Sequence, residues 1–297
     1  MNDFGRLGVV TVTYNSASVL CDFLNSVKSQ TYTNFTLYAV ENASRDSTLE
    51  QLSDCGEGRL KVIANEANVG FAEGTNQGTR AALADGCTYV LYLNNDTEFG
   101  PSTFEALISE MNVLQCDLLG PKILYGDGVR IWSAGGDFSR LKGFLAYHIG
   151  EGELDQGQFE TPRPVRQSSG CCLLIRRRAF DLIGMLDTKY YTYQEDNDLC
   201  FRAWRAGLLN CYTPRVTILH KVSALTGGSM SPFTMRYNAR GHTYFMLKNL
   251  GLWAWLLYLP AWELRLISKL LSRSIGSSEF IIRQKGFFEG IRLWFSH

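Results

Sequence analysis

The sequence predicts an α/β fold: a mostly parallel central sheet between helical layers (an αβα sandwich), with a helical segment at the C-terminus. Three observations carry this reading. Strand-like and helix-like stretches alternate through the first two-thirds of the chain, four such units in succession. The strand-like runs stop abruptly on polar residues, most plainly in "YVLYLNNDTEF" at 89–99. A chain of 297 residues, 45% apolar and 20% charged, is long enough for one large α/β domain plus an appendage.

The first strand is "LGVVTVTY" (7–14), and "SVLCDFLNSVKSQ" (18–30) follows as a helix with apolar residues at helical spacing. "FTLYAVENAS" (35–44) is a second strand entering a polar turn, and "STLEQLSDC" starts a helix capped by Ser47 or Thr48. "LKVIAN" (60–65) is a third strand, followed by the Gly-punctuated helix "GFAEGTNQGTRAALAD". The fourth strand is 89–93, rich in β-favouring residues. "FEALISEMNVL" then reads as a helix, and 118–136 as short strands and turns. The Gly-, Glu- and Gln-rich stretch 140–166 reads as a mobile loop region. "SGCCLLIRRRAFDLIGMLD" gives a strand and a helix, with Arg176, Arg177 and Arg178 as a solvated helix start. A further helix begins near Glu195, Asp196 and Asp198, and "NCYTPRVTILHK" is a last strand ending on His220.

Zero formal net charge gives no electrostatic case for nucleic-acid binding. The charge is uneven, however. Residues 226–297 hold nine Lys and Arg against three Asp and Glu, so the neutral chain divides into a +6 tail and a −6 body. The eight cysteines form no CxxC pair and suit neither a zinc site nor a disulfide framework, so they read as buried thiols in a reducing compartment. The opening "MNDFGRLGVVTVTYNS" reads as a strand, not a signal peptide, which predicts a cytoplasmic protein.

In open parallel sheets ligands bind beyond the carboxyl ends of the strands. Asn15 and Ser16, Glu41 and Asn42, Asn65 with Asn68, and Asn94, Asn95 and Asp96 would all face that crevice. Asp96 on a strand-end turn suits a divalent ion holding a diphosphate, though the triplet alone fits a plain turn as well. Glu195 and Asp196 stand where a helix dipole would lower their pKa, which suits a base; helix-terminal charge complementarity is the plainer reading. His220 fits either a metal or phosphate contact or a hydrogen-bonded structural residue.

Taken together, "VVTVTYNS", "VENASRDST", "NEANVGFAEGTNQG", "YVLYLNNDTEF", "SGCCLLIRR", "GMLDTKYYTYQEDNDLCFRAWRAG" and the histidine at 220 resemble family 2 glycosyltransferases, most of all their rhamnosyltransferase-like branch. The resemblance runs from about residue 7 to about 228. It implies a GT-A fold with residues 1–225 as the transferase domain; residues 226–297, largely beyond the resemblance, read as a C-terminal helical segment, either membrane-associated or packed on protein. It implies inverting, Mg²⁺- or Mn²⁺-dependent transfer of a sugar, rhamnose on this resemblance, from a dTDP- or UDP-linked donor to a hydroxyl of a cell-surface glycan or lipid-linked acceptor. Carried over by position, Thr13, Asn15 and Glu41 border the nucleobase and ribose. Asn68, Gly70 and Asn76 frame the nucleotide, as do Asn94 and Asn95. Asp96 and His220 hold the metal, Asp196 is the catalytic base, and Glu195 orients it or the acceptor. Two positions depart from the family: Glu41 replaces the usual Asp, and Asn94 is a neutral amide at the first position of the metal motif, which leaves Asp96 more nearly alone. Against this stand a sugar nucleotidyltransferase, which should carry a Gly-rich basic phosphate loop after the first strand, and a non-catalytic nucleotide-sugar-binding module, which has no need of Asp96, Asp196 and His220 together.

The tail stretch "NLGLWAWLLYLPAWELRLISKLLSRS" is too short in its uncharged run to span a bilayer. Its tryptophans and following cations fit an interfacial helix over 249–273, and equally a helix packed on the catalytic domain or against the second subunit of a homodimer.

Overall fold

The computed structural model describes residues 5–221 and 231–296. The chain runs through β1 (Leu7–Thr13), α1 (Ala17–Lys28), β2 (Phe35–Glu41), α2 (Thr48–Asp54), β3 (Leu60–Ala64), α3 (Phe71–Ala84), β4 (Tyr89–Leu93), β5 (Thr97–Phe99) and α4 (Thr103–Val113). It continues through β6 (Leu118–Tyr125), β7 (Ile131–Ser133), β8 (Gly136–Ser139), β9 (Leu145–His148), β10 (Arg163–Pro164), β11 (Cys172–Arg176), α5 (Arg177–Ile183), α6 (Glu195–Arg205) and β12 (Asn210–His220). The tail comprises α7 (Pro232–Leu250), α8 (Leu259–Leu271) and α9 (Ser277–Phe295). The expected boundary at 225/226 lies outside the described residues.

The main sheet is ordered β10-β12-β6-β11-β4-β1-β2-β3. The pairs β1–β2, β2–β3, β1–β4 and β6–β12 are parallel, as the alternation of strands and helices requires. Only β11 runs against its neighbours in the middle of the sheet, antiparallel to both β4 and β6. It therefore starts, rather than ends, at the edge where β4 ends. Period-two alternation along the strands builds two cores. Val9, Leu91 and Leu174 face α1 and α4, while Val10, Tyr92 and Leu173 face the side of α3, α5 and α6. The outer strand β3 carries exposed Lys61 and Val62, a charged edge that discourages strand addition.

Two expectations are corrected. Residues 118–136 are not only short strands, because β6 is an eight-residue strand buried along nearly its whole length. The stretch 140–166 is not an unstructured loop. It contains the second strand of the β8–β9 hairpin and the short β10, and the buried ammonium of Lys122 anchors it through Asp155 (2.9 Å) and Glu160. The arginine run is also less solvent-directed than expected: Arg176 donates to the Cys116 and Met111 carbonyls, and Arg178 pairs with Asp117. All eight cysteines are free thiols; six are buried and Cys21 is exposed.

The tail folds back on the sheet domain. Gly286 and Gly290 of α9 lie against α7 so closely that a Cβ at 290 would stand 2.5 Å from the Arg240 carbonyl oxygen and 2.7 Å from the Thr243 Cβ. On α7, Lys248 reaches Asp187 (2.7 Å) and Asp198 of α6 (2.9 Å). Trp262 of α8 stacks on Phe287 of α9 with ring centroids 4.8 Å apart. No helix among the described residues is long and apolar enough to cross a membrane.

Candidate active site

β4 leaves the sheet through Asn94, Asn95 and Asp96, and the chain turns directly into β5. That short strand pairs antiparallel with the end of β12, setting Thr97 opposite His220. The pairing brings His220 Nε2 to 3.3 Å from Asp96 Oδ1, both side chains buried. Asn95 fastens the turn to β1, its amide donating to the Val12 carbonyl (2.7 Å) and Ser16 Oγ (3.2 Å). The Asn94 N–H donates to the Cys171 carbonyl at 2.9 Å. Trp132 of β7 packs edge-on against His220 (4.7 Å) and His148 (4.3 Å). Burial pushes His148 down to about 4, so its imidazole is neutral.

The second cluster begins where α6 begins. Tyr191, Tyr193 and Gln194 all adopt left-handed φ (66°, 65° and 75°), a costly run for non-glycine residues immediately before Glu195 and Asp196. Asp196 Oδ2 accepts from the Gly170 N–H at 2.9 Å, and Oδ1 from the Asn197 N–H at 2.7 Å. Glu195 Oε2 is buried without a partner. The expected lowering of both carboxyl pKa values by the helix terminus does not occur. Burial raises Glu195, reinforced by the charge of Asp196; burial also raises Asp196, opposed by its N–H donors. Asp196 accepts from the Gly170 and Asn197 N–H groups while Glu195 Oε2 has no partner and feels the Asp196 charge, so of the pair Glu195 is the one that holds the proton and Asp196 the carboxylate. Asp198 is occupied elsewhere, accepting from Arg202, Lys248 and Asn249.

Both clusters line one cavity of about 540 Å³, which gathers Asn94, Asn95, Asp96, Glu195, Asp196 and His220. Four of its lining atoms are buried and unpaired: His220 Nδ1, Gln167 Oε1, Glu195 Oε2 and Asn197 Oδ1. Sequence reasoning missed Trp132, His148, Tyr193, and Thr234 and Asn238 of α7, which also line it. Thr234 bonds the Tyr193 hydroxyl (3.1 Å), and Asn238 accepts from the Gln194 amide (3.2 Å). Nothing in the sequence around Trp132 or in α7 distinguished Trp132, Thr234 or Asn238.

The remaining expected residues do not line the cavity. Thr13 and Gly70 adjoin it in sequence, next to the lining residues Val12 and Phe71. Thr13 is buried, its hydroxyl reaching toward the Val40 carbonyl (3.5 Å). Asn15 accepts from the Arg45 N–H (2.8 Å), and Glu41 accepts from the Ser44 and Ala43 N–H groups (2.7 and 3.1 Å), so both organise the turns after β1 and β2. Asn68 accepts from the Gly70 N–H (2.9 Å), and Gly70 has φ +87° with the Tyr191 ring 2.5 Å from where a Cβ would sit. The Asn76 amide exchanges two hydrogen bonds with the Leu186 backbone (2.8 and 3.0 Å), which latches α3 to the chain before α6.

Among the described residues no group of three or more His, Cys, Asp or Glu side chains is arranged for a metal. Asp96 and His220 supply one carboxylate and one imidazole with an unpaired buried nitrogen. That incomplete set fits an ion that draws its other ligands from phosphate oxygens and water, the habit of Mg²⁺ and Mn²⁺.

The family model for glycosyl transferase family 2 matches residues 8–184. The chain is 29% identical over 266 residues to the N-acetylglucosaminyl-diphospho-decaprenol L-rhamnosyltransferase of Mycobacterium tuberculosis, covering 83% of this chain and 86% of that one. It is 22% identical to the dTDP-rhamnosyl transferase RfbF of Shigella flexneri, over 81% and 79% of the two chains. Among solved structures, GalNAc-T7 with UDP, GalNAc and Mn²⁺ superposes with a TM-score of 0.63 at 16% identity. That match takes in 98% of this chain and 57% of the other, and it shows a shared GT-A fold.

Proposed function

The chain belongs to glycosyl transferase family 2 and is a glycosyltransferase of GT-A fold, and from that premise we propose that it transfers rhamnose with inversion from a dTDP-linked donor to a hydroxyl of a lipid-linked glycan. One observation carries the reading: the two clusters are tied to consecutive residues of one backbone segment. The Gly170 N–H binds Asp196, and the Cys171 carbonyl binds the Asn94 N–H two residues before Asp96. A proton acceptor and a diphosphate anchor thus share one cavity and one backbone support.

Asp196 Oδ takes the proton of the acceptor hydroxyl as that oxygen attacks the anomeric carbon. The bond from that carbon to the diphosphate oxygen breaks on the opposite face, and the electron pair leaves with the nucleoside diphosphate. No residue needs to form a covalent intermediate. Asp96 and His220 would hold Mg²⁺ or Mn²⁺, which when bound supplies charge compensation for the departing diphosphate. Protonated Glu195 donates to Asp196 or to the acceptor and adds no second negative charge beside the base. Thr13, Asn15, Glu41, Asn68 and Gly70 shape the nucleotide side through the turns they hold, and UDP is the alternative nucleotide. We assign catalysis to residues 1–225 with α7 as an added wall, and the segment 249–273 to contact with the cytoplasmic face of a membrane.

The relatives' printed names support the donor and acceptor classes. The test is release of nucleoside diphosphate from a panel of nucleotide sugars, with and without chelator and with a synthetic N-acetylglucosaminyl-diphospho-lipid as acceptor. Release confined to dTDP-rhamnose and abolished by chelator is the expected result. Metal-independent release, or release only from a different donor, overturns the corresponding part.

A further inference from the structure

We infer that the outer face of the tail is a docking surface for an anionic lipid bilayer, formed by three separate elements and set to hold the catalytic cavity at the membrane surface. The inference deepens the lipid-linked acceptor reading and rests on it for its purpose, though not for its physical basis.

The apolar part is continuous along α8 and the turn before it. Leu264, Ile267 and Leu271, at helical spacing, project outward, with Leu264 68% and Leu271 78% exposed. Trp253 is 62% exposed in the preceding segment. On the opposite side of α8, Leu259 and Leu266 are buried, Leu259 within the apolar cluster of the tail. The helix thus buries leucines on one side and exposes them on the other, which is not the pattern of scattered surface leucines. Phe288 and Ile281 extend the exposed apolar surface onto α9. The third element comes from the sheet domain: Leu141, 83% exposed at the tip of the β8–β9 hairpin, is held beside α8 by its carbonyl, which accepts from Arg265 (3.1 Å).

Charge decides the occupant. Each of the three acids of the tail is already engaged within the protein: Glu263 by Gln284 (2.6 Å), Glu279 by Arg283 (2.8 Å) and Glu289 by Arg236 (2.9 Å). The side chains of Lys269, Arg273, Lys285 and Arg292 make no hydrogen bond or ion pair among the described residues. A surface of exposed Leu, Ile and Trp with unpaired cations, whose acids are turned to partners within the protein, complements an anionic headgroup layer over acyl chains. A second copy of this chain would bring the same unpaired cations against its own.

The surface is mechanically joined to the cavity. β9 of the same hairpin supplies Ala146, Tyr147 and His148 to the cavity wall, while Gly143 at its tip lies against Met246 of α7 and the Tyr258 ring. α7 in turn carries Thr234 and Asn238 into the cavity. Docking this face therefore fixes the height of the cavity above the bilayer, where a lipid-linked sugar diphosphate would stand.

The experiment is co-sedimentation of the full chain, without donor or acceptor, with phosphatidylcholine vesicles and with vesicles containing phosphatidylglycerol. Binding to the anionic vesicles, lost progressively with added salt, is expected. The double variant Lys269→Glu/Arg273→Glu should weaken it by about tenfold or more. Leu264→Glu/Leu271→Glu should abolish it while leaving the circular dichroism spectrum unchanged. The same leucine variant should lose turnover on a lipid-linked acceptor in vesicles and keep metal-dependent nucleotide release from donor alone. Equal sedimentation with both vesicle types, or none, overturns the inference and leaves the transferase reading standing. A concentration-dependent dimer dissolved by Leu264→Glu/Leu271→Glu would overturn it in favour of a subunit interface.

Discussion

His220 Nε2 lies 3.3 Å from Asp96 Oδ1 because the three-residue β5 pairs with the last residues of β12. Neither side chain reaches the other without that pairing. Asp96→Ala removes the carboxylate beside His220, so turnover should fall by at least about 10²-fold, consistent with several kcal/mol of charge compensation. His220→Ala should fall by about 10- to 100-fold. Titration of Mn²⁺ in the presence of nucleoside diphosphate, followed by paramagnetic broadening, should show weakened metal binding in both.

Asp196→Asn preserves shape and removes the base. The expected loss in kcat is about 10²–10⁴-fold, with donor affinity by calorimetry unchanged. Retained transfer would place the base elsewhere. Glu195→Gln, by contrast, replaces a carboxyl that is already protonated with an isosteric neutral group, and should cost less than Asp196→Asn by at least about tenfold.

The same pair sets a pH dependence. Burial raises the Glu195 carboxyl above its ordinary value in the folded chain. Between that ordinary value and the raised one, the folded state binds more protons than the unfolded state, so stability falls as pH rises through the window. Thermal unfolding of the wild type from acid to neutral pH should show this decline. Glu195→Gln should flatten it, the residual slope belonging to Asp196, whose pKa is also raised. The acid limb of kcat should correspondingly lie above the usual aspartate range.

Asn76 offers a test that separates architecture from ligand binding. Asn76→Ala breaks both hydrogen bonds to the Leu186 backbone and should lower stability by about 1–3 kcal/mol, read by urea unfolding. Donor affinity measured under native conditions should not change.

Gly290→Val forces a branched side chain into the contact with Arg240 and Thr243. It should destabilise the chain by about 1–3 kcal/mol and raise the acceptor KM, because α7 carries Thr234 and Asn238 into the cavity. Limited proteolysis of the tail against the sheet domain would report the loosened helix pair.

The strand–helix alternation up to β4 was legible because each unit carries its own period and its own polar stop. The direction of β11 was not, since "CCLLI" reads the same whichever way it runs; only its neighbours decide. Asp96, Asp196 and His220 could be named because acids and histidines at element ends are conspicuous. Their partners were hidden for the opposite reason. Gly170 contributes a backbone N–H, Cys171 a carbonyl, and Trp132 an edge, none of which a side-chain reading reveals. The raised carboxyl pKa values reflect burial by distant elements, which outweighs the local helix terminus.

β12 is the last strand to be synthesised, yet it pairs along the whole length of β6 and carries half of the Asp96–His220 contact. Until residues 210–220 leave the ribosome, β6 lacks its longest partner and is paired only by β7 at Ile123 and Leu124 and by β11 at Leu118 and Leu119. A nascent chain paused before that point is both catalytically empty and adhesive, and a chaperone waiting for this protein would have its greatest work in the interval between β6 and β12.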